Sequence, residues 1–439
     1  MVRYPPTSIS DLRTPRRNLY RSRHLRRRHR AFGRTPKPRN HRHRIDARRP
    51  VSGNRNWGYD GVHPFAPQNS YGGPDALKRL IDAAHARNLA VILDVVYNHI
   101  GPEGNYLSEF GHYFTDRYRT PWGEAINFDD RGSDEVRRFF IENALYWIEE
   151  FHIDALRLDA VHAIYDSTAQ PFLQELADAV RIQGELLNRH VYTIAESSLN
   201  DARLITPREQ GGIGIDAQWS DDLHHSIRTE LTDERSGYYA DYNGFEDIVK
   251  AYRQGFTQTG QYSPYRGRKH GNSVQHLDPL KLVVCSQNHD QIGNRLLGER
   301  LTELVSFEQL KLAAATVILS PSQPLLFMGE EYGETAPFQF FVSHSDPGLI
   351  EAVRSGRKKE FEDFNWKEEP PDPQDAATFQ ACKLNHHLKQ DQQHSSLREC
   401  YRRLIELRQS EPALASPQRS KMDVSVIDHH HLMSVRSWS

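Results

Sequence analysis

The sequence predicts an α/β fold, a (β/α)8 TIM-type barrel that is followed by the start of a small β-domain. Two observations lead to this prediction. Strand-like and helix-like segments alternate from about residue 51 onward, which is typical of βαβ units around a parallel sheet. Charged and polar residues also stand at the C-terminal ends of the strand-like segments, where a (β/α) barrel places its chemistry.

The clearest strand-like segment covers residues 90–96, a nearly continuous apolar run with several β-branched side chains. Such a run is typical of a parallel strand that is buried on both faces. Residues 74–88 before it carry apolar side chains at helical spacing, with Pro74 near the start of the predicted helix. The remaining strands are predicted at residues 154–160, 191–196, 282–286 and 324–328, and the remaining helices at residues 134–151, 171–184 and 307–319.

These segments fill only part of an eight-stranded barrel, so we expect the barrel to be incomplete at its N-terminal strands. No stretch within residues 1–50 has the alternating or β-branched pattern that is typical of a strand. The strand that begins at Ala90 and the last strand, near Leu325, are therefore expected to carry open edges, with unpaired backbone donors and acceptors.

Residues 1–50 differ sharply in charge from the rest of the chain. They carry 16 Arg and one Lys against two acidic residues, whereas residues 51–439 have a net charge of about −17. We expect this Arg-rich segment to be disordered, or to be an out-of-frame segment that returns to frame near Val51. The alternative is a basic arm for nucleic acid. The acidic remainder would repel the same phosphates, so we expect no nucleic-acid partner.

Composition also bears on compartment and cofactors. Cys285, Cys382 and Cys400 are too few and too widely spaced for a disulfide framework or a zinc site, which favours a reducing, cytoplasmic compartment. No apolar stretch reaches the roughly 20 residues that cross a bilayer, and the N-terminus lacks a secretory signal. We therefore expect no membrane partner. The chain also lacks a dense carboxylate cluster, so no metal and no cofactor are expected.

The C-terminal part changes character again. Residues 357–395 are polar and interrupted by three prolines, which indicates a linker or a surface excursion. A short amphipathic helix is predicted at residues 397–409, and the alternation at residues 424–438 predicts strands. The predicted domains are the Arg-rich segment at residues 1–50, a catalytic barrel at residues 51–410, and the beginning of a truncated β-domain at residues 411–439.

Polar motifs mark the ends of the first two long strands. The strand at residues 90–96 runs into Asn98 and His99, and the next strand carries Arg157 and Asp159. The latter two are two residues apart, so on a strand they project to the same side, into the barrel mouth. A guanidinium beside a carboxylate holds that carboxylate ionised, as a nucleophile at neutral pH requires.

Two more strand ends carry acidic residues. Residues 191–196 end in Glu196, and a glutamate suits an acid/base role because an apolar setting or a nearby carboxylate readily raises its pKa. After residues 282–286 come His289 and Asp290, which could hold vicinal sugar hydroxyls. Each motif alone also fits a structural role. Together they predict glycoside hydrolysis with retention, which needs two carboxyl groups roughly 5–5.5 Å apart.

In this order, the four motifs resemble the four signature regions of the alpha-amylase superfamily, and the resemblance extends over roughly residues 53–439. It implies that Asp159 is the nucleophile, Glu196 the acid/base, and Asp290 a third carboxylate that distorts the bound sugar. It also implies a stacking role for Tyr59. The residues expected to bind the α-glucan substrate are Tyr59, Asn98, His99, Arg157, His162, Asp222 and His289.

Several further segments are similar to one branch of the superfamily. The reaction that this similarity implies is hydrolysis of the α-1,4 bond next to the terminal trehalose of malto-oligosyltrehalose, which releases trehalose and a malto-oligosaccharide. The trehalose preference rests on resemblance alone. The segments are residues 53–61, 216–225, 338–341, 344–347 and 371–375.

Three other functions stay open at this point. An α-glucan branching enzyme, or another amylase relative, would share the nucleophile and acid/base, and a branching enzyme would transfer the glycosyl unit to a sugar hydroxyl. A catalytically impaired remnant would bind glucan without turnover. A nucleic-acid-binding protein would lose its binding when residues 1–50 are removed.

Overall fold

The structure is a computed structural model that describes the backbone of residues 41–45, and residues 53–360, 369–427 and 431–438 with their side chains. These residues belong to one compact unit, Asn40–Ser439. The expectations for residues 1–40, namely disorder, a frame shift or a nucleic-acid arm, lie outside the described residues.

The described residues form a seven-stranded parallel sheet in which every strand pairs with its sequence neighbour. This sequential order is the arrangement of a (β/α) barrel, and it confirms the predicted fold class. All carboxyl ends lie at one edge of the sheet, so residues that follow different strands can meet there. The strands are β1 His41–Ile45, β2 Leu89–Val95, β3 Ala155–Leu158, β4 Tyr192–Ala195, β5 Ala217–Trp219, β6 Leu282–Val284 and β7 Gln323–Pro324.

Strand β1 corrects the expectation that the strand beginning at Ala90 has an open edge. His41 to Ile45 pair in parallel with Leu89 to Leu93, so β2 has a neighbour on both sides. The prediction was wrong because it asked for a β-branched or alternating apolar pattern. Parallel pairing uses backbone N–H and C=O groups, and a segment rich in His and Arg supplies these as well as any other.

The predicted helices at residues 74–88, 134–151, 171–184 and 307–319 are confirmed, with ends shifted by at most three residues. The helix predicted at residues 397–409 begins five residues earlier than expected. The described helices are α1 Gly73–His85, α2 Ser133–Glu150, α3 Phe172–Leu186, α4 Asp222–Thr232, α5 Phe245–Gln254, α6 His289–Gly293, α7 Phe307–Ile318, α8 Pro347–Glu360, α9 Ala376–Ala381, α10 Gln392–Ser410 and α11 Pro412–Ala415.

The core lies between the sheet and the helices that cover it. Phe128, Phe140 and Phe172 are at most 1% exposed, and the rings of Phe128 and Phe172 stack with centroids 4.1 Å apart. Full burial of a side chain of this size contributes about 1.5–3 kcal/mol to the free energy of unfolding. This aromatic cluster ties α2 and α3 together and so holds β3 and β4, the two strands that lead into the candidate site.

Antiparallel hairpins extend the barrel. One of them, Phe114–Thr120 with Gly123–Ile126, lies between β2 and α2, and a short one pairs Tyr262–Ser263 with Arg268–Lys269. The strands predicted at residues 424–438 form a third hairpin, Met422–Ile427 with Leu432–Ser437. This agrees with the predicted start of a small β-domain.

The segment at residues 357–395, which was expected to be a linker or a surface excursion, packs against the barrel where it is described. Val342 donates its backbone N–H to the carbonyl of Pro373 at 2.9 Å, and Arg55 Nη2 donates to the carbonyl of Gln374 at 2.6 Å. Asn385 donates its backbone N–H to Glu334 Oε2 at 2.7 Å. Prolines and polar residues therefore build an ordered connection here, because its backbone groups find partners on neighbouring loops.

Glu330 is a buried carboxyl group in the short 3-10 helix Glu330–Tyr332, which follows β7 in the chain. It receives weak hydrogen bonds from the hydroxyls of Tyr401 (3.4 Å) and Ser286 (3.5 Å), and burial raises its pKa from 4.5 to about 8. Between these two values the unfolded chain releases a proton that the folded chain keeps. The stability that this group contributes is therefore fully present below pH 4.5 and is lost as the pH rises toward 8.

We expect Glu330→Gln to remove this loss, because glutamine keeps the shape and does not titrate. In urea unfolding between pH 5 and 8, the free energy of unfolding of the wild type should fall relative to the variant by up to about 1.4 kcal/mol per pH unit. The matched control is Glu303→Gln at an exposed position, which should show no such difference. Parallel curves for wild type and Glu330→Gln would contradict the prediction.

Candidate active site

The carboxyl ends of β2, β3, β4 and β6 bring the four predicted motifs together. Asn98 and His99 follow β2, Asp159 follows β3, and Glu196 follows β4 directly. Parallel register places Asp94 of β2 beside Arg157 of β3, and Arg157 beside Ile194 of β4. The residues that follow these three adjacent strands therefore lie side by side at the mouth of the barrel.

Arg157 lies at the centre of this group and is 1% exposed. Its Nη1 contacts Asp94 Oδ1 at 2.9 Å and also Asp159 Oδ1, and its Nη2 lies 3.5 Å from Glu196 Oε2. The guanidinium also lies over the ring of Trp219, 4.7 Å from the centroid. Three carboxylates around one guanidinium raise the pKa of Arg157 well above its ordinary value, so it stays charged in spite of its burial.

Asp159 is held as a carboxylate. Burial by itself would raise its pKa, but the Arg157 guanidinium and a 2.8 Å hydrogen bond from Asn98 Nδ2 outweigh burial and lower the pKa below its ordinary value. Asn98 also donates to the backbone carbonyl of Asp159 at 2.8 Å, which holds the residue from both ends. The side chain of Asp159 is 13% exposed, so an ionised oxygen remains accessible from the cleft.

Glu196 has the opposite protonation tendency. Burial raises its pKa, and the charge of Asp159 adds to that effect against the opposing effect of Arg157. The backbone N–H of Ala160 donates to Glu196 Oε2 at 2.5 Å and fixes the carboxyl group. His162 is exposed at the rim, close enough to Glu196 to lower its pKa electrostatically. The site therefore pairs one carboxyl group whose pKa is lowered, Asp159, with another whose pKa is raised, Glu196.

Aromatic and imidazole side chains form the wall beside these two groups. Tyr59 Oη donates to Asp94 Oδ2 at 3.1 Å and lies 2.7 Å from His289 Nε2, with the Tyr59 and His289 rings parallel. His289 Nε2 lies 3.2 Å from Asp290 Oδ2, and the Asp290 side chain is 40% exposed toward the opening. On the other side, His99 stacks under the ring of Trp122 at 4.4 Å.

Trp57 supports this wall from behind through a close approach to Gly293. The last residue of α6, Gly293, lies so near the Trp57 ring that an added methyl group would overlap the ring atoms. Trp57 packs edge-on to His289 at 5.7 Å and stacks on Phe338 at 5.0 Å. Gly293 therefore allows Trp57 to fill the space that keeps His289 in place.

The structure does not bring Asp222 to the cleft, so its prediction as a substrate-binding residue needs correction. Its carboxylate is 2% exposed and accepts hydrogen bonds from Asn200 Nδ2, Tyr242 Oη and the backbone N–H of Thr257. These protein donors satisfy the carboxylate and give it a structural position. The neighbouring Asp221 is the residue that lies near Glu196.

Sequence reasoning also missed residues that complete the site. Asp94 interrupts an apolar strand, and that interruption was the available signal for a buried partner of Arg157. Trp219 and Asp221 could have been found only from the position of β5, a strand of three residues that the sequence did not predict. Gly293 carried no signal, because its role depends on a contact with Trp57 across 236 positions.

In the described part of the chain, no group of three or more His, Cys, Asp or Glu side chains is arranged to hold a metal ion. No described helix is long and apolar enough to cross a membrane.

Comparison with known proteins agrees with this geometry. The alpha-amylase catalytic-domain family matches residues 50–122. A malto-oligosyltrehalose trehalohydrolase from Saccharolobus solfataricus is 51% identical over 356 residues, which cover 81% of this chain and 60% of the relative. A crystal structure from Salmonella typhimurium, described as an alpha amylase, superposes with a TM-score of 0.81 at 40% identity and covers 88% of this chain and 66% of that one. A branching enzyme from Corynebacterium jeikeium is 29% identical over 309 residues, covering 64% of this chain and 39% of the enzyme.

The fold, the four strand-end motifs and these comparisons show the class: the chain belongs to the alpha-amylase family. Within that family its sequence groups with the malto-oligosyltrehalose trehalohydrolases. The chain spans about 60% of the length of the Saccharolobus relative.

Proposed function

We propose that the chain hydrolyses α-1,4-glucosidic bonds by a retaining double displacement, with Asp159 as nucleophile and Glu196 as acid/base. One observation carries this proposal. Two carboxyl groups contact the same buried Arg157, yet the pKa of one is lowered and that of the other is raised. A retaining mechanism requires one ionised and one protonated carboxyl group at one site, and pKa shifts in opposite directions favour that arrangement.

In the first step, an Asp159 oxygen attacks the anomeric carbon and the bond to the leaving sugar oxygen breaks. Glu196 donates its proton to that oxygen, so the sugar leaves as a neutral alcohol. Arg157 holds Asp159 ionised, and the hydrogen bond from Asn98 orients it. Tyr59, His99, His289 and Asp290 form the wall that would hold the reacting glucose.

In the second step, Glu196 is a carboxylate and takes a proton from water. The water oxygen then attacks the anomeric carbon, and the bond to Asp159 breaks. The hydrogen bond from Ala160 N–H to Glu196 persists in both steps, because the backbone amide can donate to a carboxyl group or a carboxylate.

We further propose that the bond cleaved is the α-1,4 bond next to the terminal trehalose of malto-oligosyltrehalose, without a cofactor. Support comes from the 51% identity to the Saccharolobus relative that carries this name. With maltotriosyl-trehalose as substrate, we expect trehalose and a malto-oligosaccharide in equal amounts, measured by chromatography of the products. With an unmodified malto-oligosaccharide of the same length, turnover should be much slower.

The second candidate is a branching enzyme, favoured by the 29% identity to the enzyme from Corynebacterium jeikeium. It would use the same two carboxyl groups but transfer the glycosyl unit to a sugar hydroxyl. New α-1,6 branch points without release of trehalose would therefore contradict the proposed hydrolysis and support this candidate. Glucan binding without any turnover would support a binding remnant.

We also propose a cytoplasmic location and a boundary between the barrel and the small β-domain near residue 410. The boundary expected after residue 50 is not proposed, because His41–Ile45 pair with β2 and so belong to the barrel sheet. The location is supported by Cys285, Cys382 and Cys400, which are free thiols in the structure, as a reducing compartment would keep them.

A further inference from the structure

Asp221 is a carboxyl group of the site to which the mechanism assigns no role. It follows β5 by two residues, and β5 lies between β4, which leads to Glu196, and β6, which leads to His289. In the order of the sheet, Asp221 therefore lies next to Glu196 on the side that faces away from Asp159.

Two side chains hold Asp221 in a defined orientation. The hydroxyl of Tyr238 donates to Gln291 Oε1 at 3.4 Å, and Gln291 Nε2 donates to Asp221 Oδ1 at 3.2 Å. Because Tyr238 donates to the amide oxygen, the amide nitrogen must face Asp221. Gln291 is itself anchored by its backbone N–H, which donates to Asn288 Oδ1 at 3.0 Å.

The Asp221 carboxylate does not cap α4, the helix that it precedes. Asp221 occupies the N-cap position of α4, where aspartate is a favoured capping residue, yet its side chain makes no capping hydrogen bond. Asp278 and Asp375 occupy the same position in other helices and do cap them. Among the described residues, none donates a hydrogen bond to Asp221 Oδ2.

The electrostatic setting of Asp221 also indicates that, within the described part of the chain, its carboxyl group lacks a protein partner for Oδ2. Asp222 next to it is satisfied by protein donors, whereas burial and the neighbouring Glu196 raise the pKa of Asp221 to about 7. A half-buried carboxyl oxygen without a donor is destabilised, and a ligand hydroxyl that donates to it would remove that cost.

We propose that Asp221 accepts a hydrogen bond from a hydroxyl of the sugar unit on the leaving-group side of the scissile bond. The inference rests on the proposed function: Glu196 protonates the leaving oxygen, and the sugar attached to that oxygen extends past Glu196, away from Asp159. Asp221 follows the next strand on that side. Gln291 and Tyr238 act as positioning residues that aim its free oxygen.

The test is Asp221→Asn. The amide keeps the shape and can still accept from Gln291 with its oxygen, which turns an N–H donor toward the sugar hydroxyl. On substrates with a sugar leaving group, kcat/KM should fall about 10- to 100-fold, as for a lost hydrogen bond to a charged acceptor. On an aryl α-maltoside, whose leaving group has no such hydroxyl, kcat/KM should change less than about twofold.

A series of substrates with single hydroxyls removed from the leaving sugar identifies the contact. For one of these deoxy substrates, kcat/KM of the wild type should fall by the same factor that Asp221→Asn causes on the full substrate. Removal of that hydroxyl should not lower kcat/KM of Asp221→Asn any further. The matched control is Asp82→Asn, an exposed position on α1, which should behave as the wild type on all substrates. If Asp221→Asn does not fold, the wild-type arm can still overturn the proposal, because it needs no variant.

If Asp221→Asn lowers kcat/KM equally on the sugar and aryl substrates, the proposal is overturned and Asp221 acts through Glu196. No effect of any single deoxygenation on the wild type would overturn it as well. A wild type that hydrolyses no glucoside would contradict the proposed function. Asp221 is then tested by calorimetric binding of trehalose and maltose, which needs no turnover. Weaker binding to Asp221→Asn than to wild type supports the contact, and equal binding overturns it.

Discussion

Asp159→Asn should lower kcat by about 10⁴-fold or more while binding of the oligosaccharide changes little. Asparagine keeps the shape of the side chain but removes the charge that attacks the anomeric carbon. Arg157 also loses one of its three carboxylate neighbours, although Asp94 and Glu196 still contact it. The measurements are single-turnover kinetics and calorimetric binding of the same substrate.

The Asp82→Asn variant controls for the chemistry of the substitution, because Asp82 is exposed on α1 and is not one of the residues that form the site. A homogeneous preparation of Asp159→Asn with more than about one per cent of wild-type kcat would remove Asp159 from the role of nucleophile. A trapped glycosyl-enzyme adduct on a different carboxylate would do the same.

Glu196→Gln should affect substrates according to their leaving groups. Cleavage of an oligosaccharide requires a proton on the leaving oxygen, so its glycosylation step should slow by roughly 10²- to 10⁴-fold. An activated aryl glucoside leaves as a weakly basic phenolate and should lose far less in that step. The alkaline limb of the pH profile, which reports the raised pKa of Glu196, should disappear in the variant.

The second half of the reaction provides an internal control for this variant. Azide attacks a glycosyl intermediate without base catalysis, so it should restore turnover of the aryl glucoside and yield a glycosyl azide with retained configuration. If the oligosaccharide and the aryl glucoside slow equally in the glycosylation step, Glu196 has a different role. Restoration of oligosaccharide cleavage by azide would also contradict the assignment.

The residues at the centre of the site could be predicted because each lies within or directly after an apolar strand. Burial requires such a strand to be apolar, so a polar residue in it or just after it stands out, as Arg157, Asp159 and Glu196 do. Asp222 and Asp221 could not be told apart in this way. They are adjacent acids at the start of α4. Only the position of β5 and the donors Asn200 and Thr257 determine that Asp222 points into the protein interior and Asp221 toward Glu196.

Two strands escaped prediction for physical reasons. β5 has only three residues, so it is too short to show periodicity, and its boundaries follow from pairing with β4 and β6. β1 pairs through its backbone with β2, and its His and Arg side chains carry no strand pattern. In both cases, the information lies in neighbouring strands that are distant in sequence.

The close approach of Trp57 to Gly293 has a practical consequence for laboratory evolution of substrate preference. Gly293 lies on a short helix next to Asp290 and Gln291, a stretch that a designer of saturation libraries would randomise. Any residue other than glycine at that position would displace the Trp57 ring, and His289 would then lose the ring that packs against it. A library that varies residue 293 alone would therefore consist mainly of inactive clones, whereas one that pairs it with smaller residues at position 57 would reach pocket shapes that single substitutions cannot.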